Sequence, residues 1–437
     1  MIYWALLRFF LPLMLTQVLL GMGSQFLSGG MARMPQAAHT LAVFGLAWGL
    51  TDFLVSPIWQ ARQLGLVLAR DRATLRQLRR FVLVCCSGLA LALFALSSTG
   101  LGDWVIGDLH GVEEHLAFQV RWVLLAFVPL PFMVGLNRLY SGILIQYRRT
   151  DIVSGAMLAG MAVQIACVLA LLRVDWVVQR PILLPLTAVY LGEITGVSIV
   201  LWGYMARVKT LLVGEGDRGF DWRYVAHFFW PLALVMAIQG LSRPLINLFV
   251  SRQSDGVIAL AVLAVVYPLA HLPYGWLNEL RSVPAAFRNE DADGAIVRFA
   301  LGCGALSFLA MVLLFWTPLR DVVLLEWVAV DVQLAQLSAL PLFLFSFFPL
   351  AVCLRSYLNG IALVQHRTRA LAPSAPARIA AIGGALALFS PLGWSGATLG
   401  VSALLCGFFV EALSVWLGVR GWPSVAHAKN GKETTGG

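Results

Sequence analysis

Arg243, His271, Glu279 and Arg281 stand within long apolar runs between positions 227 and 281. Around them run HFFWPLALVMAIQGLSRPLINLFV and, after a short polar gap, VIALAVLAVVYPLAHLPYGWLNELR. Each run exceeds the roughly 20 residues that a helix needs to cross a bilayer. An ionisable group in the middle of such a helix costs roughly 2.5–3.5 kcal/mol on insertion scales, so it faces a bundle interior or a watery path. The planar arginine fork holds carboxylate and phosphate oxygens two at a time. Two arginines on neighbouring spans therefore point to a passage or pocket for something anionic.

Helical spacing says which neighbours accompany them. Gln239, Arg243 and Asn247 are four apart and share one face. Pro244 follows the arginine and leaves the carbonyl of Gly240 without its helical donor. On the next span Tyr267, His271, Tyr274, Asn278 and Arg281 form one polar-aromatic stripe, with Glu279 placed to orient Arg281 or to form a structural ion pair with it. Pro268 and Pro273 bend that span. Further candidates are Trp276, Arg355 with Asn359, the group Asn137, Arg138 and Ser141, and the face Asp52, Ser56, Trp59 and Gln63 with Arg62 one position over. The plain alternatives are a kinked span with a snorkelling Arg243, a hydrogen-bonded core His271, and an Arg62 that snorkels. Arg138, Arg243, Arg281 and Arg355 stand against Asp52, Glu193, Glu279 and Glu411. Since these balance, the anion expectation rests on arrangement and not on net charge.

The elements that must position these residues are legible in the composition. Of 437 residues 59% are hydrophobic and 12% charged, and the mean hydropathy is +0.82. Apolar runs recur at 3–30, 40–68, 81–101, 119–147, 152–174, 182–205, 224–252, 257–287, 297–317, 334–364, 371–390 and 395–419. This predicts an all-α polytopic membrane protein of about twelve spans, with no room for a sizeable soluble domain. The N-terminal MIYWALLRFF is read as the start of the first span rather than a cleaved leader.

The net charge of +9 has a topological reading. With the N-terminus inside, the inner loops hold most of the basic residues, including Arg70, Arg72, Arg76, Arg79, Arg80, Arg148, Arg149, Arg288 and Arg367, while the outer loops hold Arg33, Arg173, Arg180, Arg252 and Arg320. That asymmetry predicts both termini in the cytoplasm and needs no nucleic-acid partner. The six cysteines fall within spans without metal-ligand spacing. No nucleophile elbow, zinc-protease helix or phosphate loop occurs, so neither catalysis nor ATP-driven work nor a cofactor is expected.

The chain also repeats itself. Offset by 218 residues, SGILIQYRRT (141–150) lies on NGIALVQHRT (359–368), and Arg70 on Arg288, Arg80-Phe81 on Arg298-Phe299 and Glu193 on Glu411. Offset by 219, FFLPL (9–13) lies on FFWPL (228–232) and Arg33 on Arg252. The expected organisation is a six-helix bundle over 1–205, a basic linker over 206–222, a second six-helix bundle over 223–420 and a short tail over 421–437. Six spans per half give both halves the same orientation, a common transporter design with the site between the halves and alternating access. Arg243 has no basic counterpart in the first half, so the second bundle is expected to supply most of the positive charge. The repeat-equivalent Glu193 and Glu411 are expected to share a structural role.

The segments WPLAL, SRPLINLFVSR, YPLAHLPYGWLNELRSV, LFSFFPLAVCLRSYLNG, LAPSAPARI and GATLGVSALLCGF resemble the progressive ankylosis (ANKH) transporter family. The likeness extends over nearly the whole chain through RFFLPL and FGLAWGLTDF, and is strongest in the second half. The resemblance implies a fold similar to the multidrug and toxin extrusion (MATE) and oligosaccharide flippase (MOP) superfamily. It implies export of small polyanions: citrate, pyrophosphate, or ATP and related nucleotides. The motif positions it carries are Gln239, Ser242, Arg243, Asn247, His271, Tyr274, Trp276, Glu279, Arg281, Arg355 and Glu411. As the resemblance implies, the family's first span bears acidic residues and an arginine where this chain has Gly21, Ser24 and Gly29, and its second span bears a lysine where this chain has Arg62. Those departures and the short tail point to a bacterial homologue in the inner membrane whose first-half site is tuned differently.

The expected activity is anion export by a monomer in the lipid bilayer, with Arg243 and Arg281 as a clamp, Arg355 assisting, and Asn247, His271 and Tyr274 adding neutral hydrogen bonds. The rivals on the same fold are a lipid-linked precursor flippase, which needs a lateral opening, and a drug exporter, which favours acidic charges in its cavity. A membrane-embedded transferase is the rival from another class.

Overall fold

A computed structural model describes residues 2–31, 33–109, 114–210, 221–250, 252–288, 294–328 and 332–420. The tail and most of the expected linker lie outside them, as do the side chains at Gly21, Ser24 and Pro244. All regular structure among the described residues is helical. In lipid a backbone has only itself to bond to, so uniformly apolar runs close into helices. Ten segments are long and apolar enough to cross a bilayer, and Glu114–Ala126 with Leu130–Gln146, bent by 42°, adds another. Ile2–Met31, 30 residues long, supplies the first span. Leu91, Leu301, Leu388 and Trp202 stand exposed along the outer flanks, as lipid-facing side chains do.

The repeat appears in the breaks. The second span runs Ala37–Val55, turns as a 3-10 segment over Ser56–Gln60 and resumes at Ala61–Val67. The eighth runs Gly256–Tyr274, turns over Gly275–Ser282 and resumes at Val283–Ala286. Ser56 and Gly275 are 219 apart. The fourth span restarts at Leu130 and the tenth at Phe348, 218 apart, each with proline (Pro131, Pro349) in its first turn, where a missing N–H costs nothing. Arg148 (φ 58°) and His366 (φ 55°), again 218 apart, turn those two spans into the next. The seventh span breaks at Leu241 between Trp222–Gly240 and Ser242–Val250, one turn before Pro244.

Two apolar cores form, and the halves exchange helix ends between them. Leu6, Phe9, Phe10 and Leu13 of the first span belong to the second half's core. Val225, Phe228, Phe229 and Leu232 of the seventh span belong to the first half's. Phe9 meets Phe287 edge-on at 5.4 Å, and Phe81 meets Phe229 at 5.5 Å. At the same end Arg148 lies 4.0 Å over the Phe287 ring and donates to the Ala286 carbonyl, while His366 bonds Tyr224 and Arg70. The halves are thus fastened together at the end that carries the basic loops.

Candidate functional site

A cavity of 470 Å³ lies in the first half; among the described residues, all that line it except Glu279 come from there. Its apolar wall includes Phe44, Trp48, Met157 and Met161; its polar wall is Gln17, Asp52, Arg62, Asn137, Arg138, Gln164, Glu193 and Glu279. The break at Ser56–Gln60 is what puts this wall together: it turns the second span so that Asp52, Trp59 and Arg62 face the cavity from one element.

Arg138 reaches the cavity from the fourth span. Its guanidinium carbon lies over Trp59, 4.5 Å from the ring centroid. Such cation–π contacts hold an arginine without consuming its in-plane donors. Arg62, Glu193, Glu279 and Asp52 all act on it electrostatically, yet among the described residues no carboxylate comes within ion-pair distance of it. Asp52 and Glu193 also make no ion pair among the described residues.

Arg62 does not snorkel. It is 6% exposed and its Nη2 donates to Glu279 Oε2 at 2.6 Å, while Gln17 donates to the other oxygen of Glu279 at 2.5 Å. The expected Glu279–Arg281 pairing is therefore corrected: Glu279 belongs to Arg62. Residues two apart on a helical turn point to different faces, and Arg281 makes no ion pair among the described residues, its Nε buried without a partner.

The other candidates line no part of this cavity. Arg243 is exposed, 5.0 Å over the Tyr267 ring and without an ion pair among the described residues, and Asn247 is exposed one turn on. His271 and Tyr274 stack edge-on at 5.2 Å, and Trp276 donates to the Pro273 carbonyl. Arg355 is bound up in a buried network: its Nη1 meets Glu411 Oε2 at 3.0 Å and its Nη2 meets Asn278 at 2.5 Å. Arg378 reaches the same Glu411 oxygen at 3.1 Å, and Gln239 donates to the other. The shared role expected for Glu193 and Glu411 is corrected too, since Glu411 holds two arginines and Glu193 holds none. The expectation that the second half supplies the cavity's positive charge fails for this cavity, whose arginines, Arg62 and Arg138, are both in the first half. Among the described residues no group of three or more His, Cys, Asp or Glu is placed to hold a metal.

The family model described as "Progressive ankylosis protein (ANKH)" matches residues 1–317. Among solved structures, the chain is similar to the eukaryotic MATE transporter AtDTX14 (14% identity, 94% of each chain covered, TM-score 0.66). It is also similar to the MATE transporter ClbM in complex with Rb+ (17%, 98% of this chain and 96% of that one, TM-score 0.65). A MOP superfamily transporter from Pyrococcus furiosus, described as having a binding pocket of reverse polarity, matches at 14% identity over 95% of each chain with a TM-score of 0.71. At these identities the likeness establishes the fold, that of the MATE proteins.

Proposed function

This chain belongs to the progressive ankylosis protein family, and from that premise we propose that it is a transporter of small anions such as citrate, pyrophosphate or a nucleotide. It works by alternating access between two halves of a MATE fold. The observation that carries the reading is Arg138: a guanidinium in a cavity wall, braced on Trp59 and left without an ion pair among the described residues. A guanidinium is not deprotonated in a protein, so its in-plane donors are available to one carboxylate or phosphate group. On the positive-inside reading the fastened end faces the cytoplasm, and the arrangement then corresponds to a state closed to the inside. Asn137, Ser141 and Gln164, also in the wall, supply neutral hydrogen bonds.

Proteoliposomes loaded with labelled citrate or pyrophosphate test this. Arg138→Gln is expected to lower efflux by at least about tenfold, the equivalent of one charge-assisted hydrogen bond of ~1.5–3 kcal/mol, with Arg243→Gln and Arg281→Gln as comparison variants. Undiminished flux in the Arg138 variant sinks the assignment. A second reading has its own observation: Asp52 and Glu193 face the same cavity beside Phe44 and Trp48, which suits an organic cation. Efflux of an aromatic cation such as ethidium from the same vesicles, lost in Asp52→Asn but kept in Arg138→Gln, favours that reading.

A further inference from the structure

Among the described residues, Glu279 is the one from the second half in the wall of the first half's cavity, and it is 1% exposed. It contacts two residues of that wall, Arg62 at 2.6 Å and Gln17 at 2.5 Å. A protein carboxylate thus occupies the guanidinium face on which an anionic substrate beside Arg138 would place its second charged group. Building on the transport reading, we propose that Glu279 is an internal competitor: closing the inner end seats it on Arg62 and expels the substrate's anionic group.

The two partners are anchored in different halves. Arg62 sits on the short helix Ala61–Val67, packed so tightly against the fourth span that a side chain at Gly142 would strike the Arg62 carbonyl at 2.0 Å. It therefore travels with the first half. Glu279 sits in the 3-10 turn Gly275–Ser282, packed against the tenth span of the second half. The ion pair exists only while the halves meet at this end, where Arg148 on Phe287 and His366 on Arg70 also hold them. When that end opens, Arg62 loses its carboxylate partner and faces the opened path. A carboxylate or phosphate entering from that side restores the lost partner, so affinity is high with the inner end open. Closure returns Glu279, and the two anionic groups then compete for one guanidinium. A ligand shifts a two-state equilibrium only through its differential affinity for the states, and here one carboxylate supplies that difference. The state closed to the inside is then the one that binds the anion weakly.

Equilibrium binding of labelled citrate and of labelled pyrophosphate to the full-length protein in detergent, with efflux from proteoliposomes alongside, tests the proposal. Glu279→Gln is expected to bind about tenfold tighter than wild type (~1.4 kcal/mol) and to release more slowly. Gln17→Leu, which leaves the charge in place but removes one of the bonds that seat it, should tighten binding by a smaller factor in the same direction and guards against a misfolded Glu279 variant. Arg62→Gln should bind more weakly than either. A role of Glu279 that is only structural predicts weaker or unchanged binding in the first two variants, and that result overturns the proposal while leaving anion transport standing. If wild type and all variants bind neither anion, the transport reading falls and this inference falls with it.

Discussion

Glu193 and Glu411 occupy the same place in the two halves, 218 residues apart, yet one looks into a cavity and the other into a lattice of arginines. The difference lies in their neighbours at the same offset. Where the second half has Arg355 and Arg378, the first has Asn137 and Gly160. Arg355 and Arg378 both close on Glu411, and both lie over the Phe408 ring, at 5.3 and 4.0 Å. Asn137 is too short to do this and bonds Ser141 within its own helix, at 3.1 Å. Gly160 has no side chain and lets the fifth span approach the sixth so closely that a Cβ there would meet the Gly192 carbonyl at 2.8 Å. One template thus yields a packed strut in one half and a hollow in the other. The smaller residues at 137 and 160 leave the room, and Arg138, one residue beyond Asn137, has no ion pair among the described residues.

The largest expected effect breaks the strut. Glu411→Leu removes the shared partner of two buried arginines, and uncompensated buried charge of this kind costs about 3–5 kcal/mol. Glu193→Leu removes a carboxylate with no ion pair among the described residues and should change stability by less than about 1 kcal/mol while altering transport. Thermal unfolding of the two purified variants in one detergent compares them. Equal losses of stability would mean that the halves do not differ as described.

A smaller and sharper test converts the hollow toward the strut. Asn137→Arg puts into the first half the arginine that its twin already carries, beside a cavity with space for it and within the reach that Arg355 uses toward Glu411. The expected result is a stable protein, within about 1 kcal/mol of wild type, whose anion efflux falls severalfold because Glu193 is now paired and the cavity is partly filled. Loss of folding instead of loss of flux would show that the first half cannot hold the second half's arrangement.

Much of the architecture was legible beforehand because its causes are local. Apolar length marks spans, proline marks breaks, and the recurrence of SGILIQYRRT in NGIALVQHRT marks the second copy. The site was less legible because its causes are not local. Arg62 and Glu279 are 217 residues apart, and no periodicity joins them. Helical spacing aligned Gln239, Arg243 and Asn247 on one face, but the helix breaks at Leu241 between the first two, and Gln239 meets Glu411 while Arg243 lies over Tyr267. The adjacency of Glu279 and Arg281 misled, since neighbours in a turn diverge. A usable signal was present in the repeat: comparing Asn137 with Arg355 and Gly160 with Arg378 shows volume missing from one half, and missing volume beside an arginine and two carboxylates is where a ligand fits.

The smallest expected effect concerns the corners that fasten the halves. Arg148 and His366 are repeat-equivalent, both left-handed, and both reach across the boundary, but only one of them titrates near neutrality. His366 lies between spans, bonded to Tyr224 at 2.9 Å and to Arg70 at 3.3 Å, with Phe228 against its ring. Burial first, then the charges of Arg70 and Arg288, hold its pKa below the ordinary 6.5. The folded state therefore favours the neutral ring. The stability it contributes is present above pH 6.5 and is lost as pH falls from there toward the lowered folded value, because the unfolded chain takes up the proton first. Wild type should melt lower at pH 5.5 than at pH 7.5, and His366→Gln should remove a part of that difference worth about 1 °C for a chain of this size. An Arg148→Gln variant, changed at the corner that has no histidine, should keep the full pH dependence. If both variants flatten the profile alike, the asymmetry between the corners lies in packing and not in the proton.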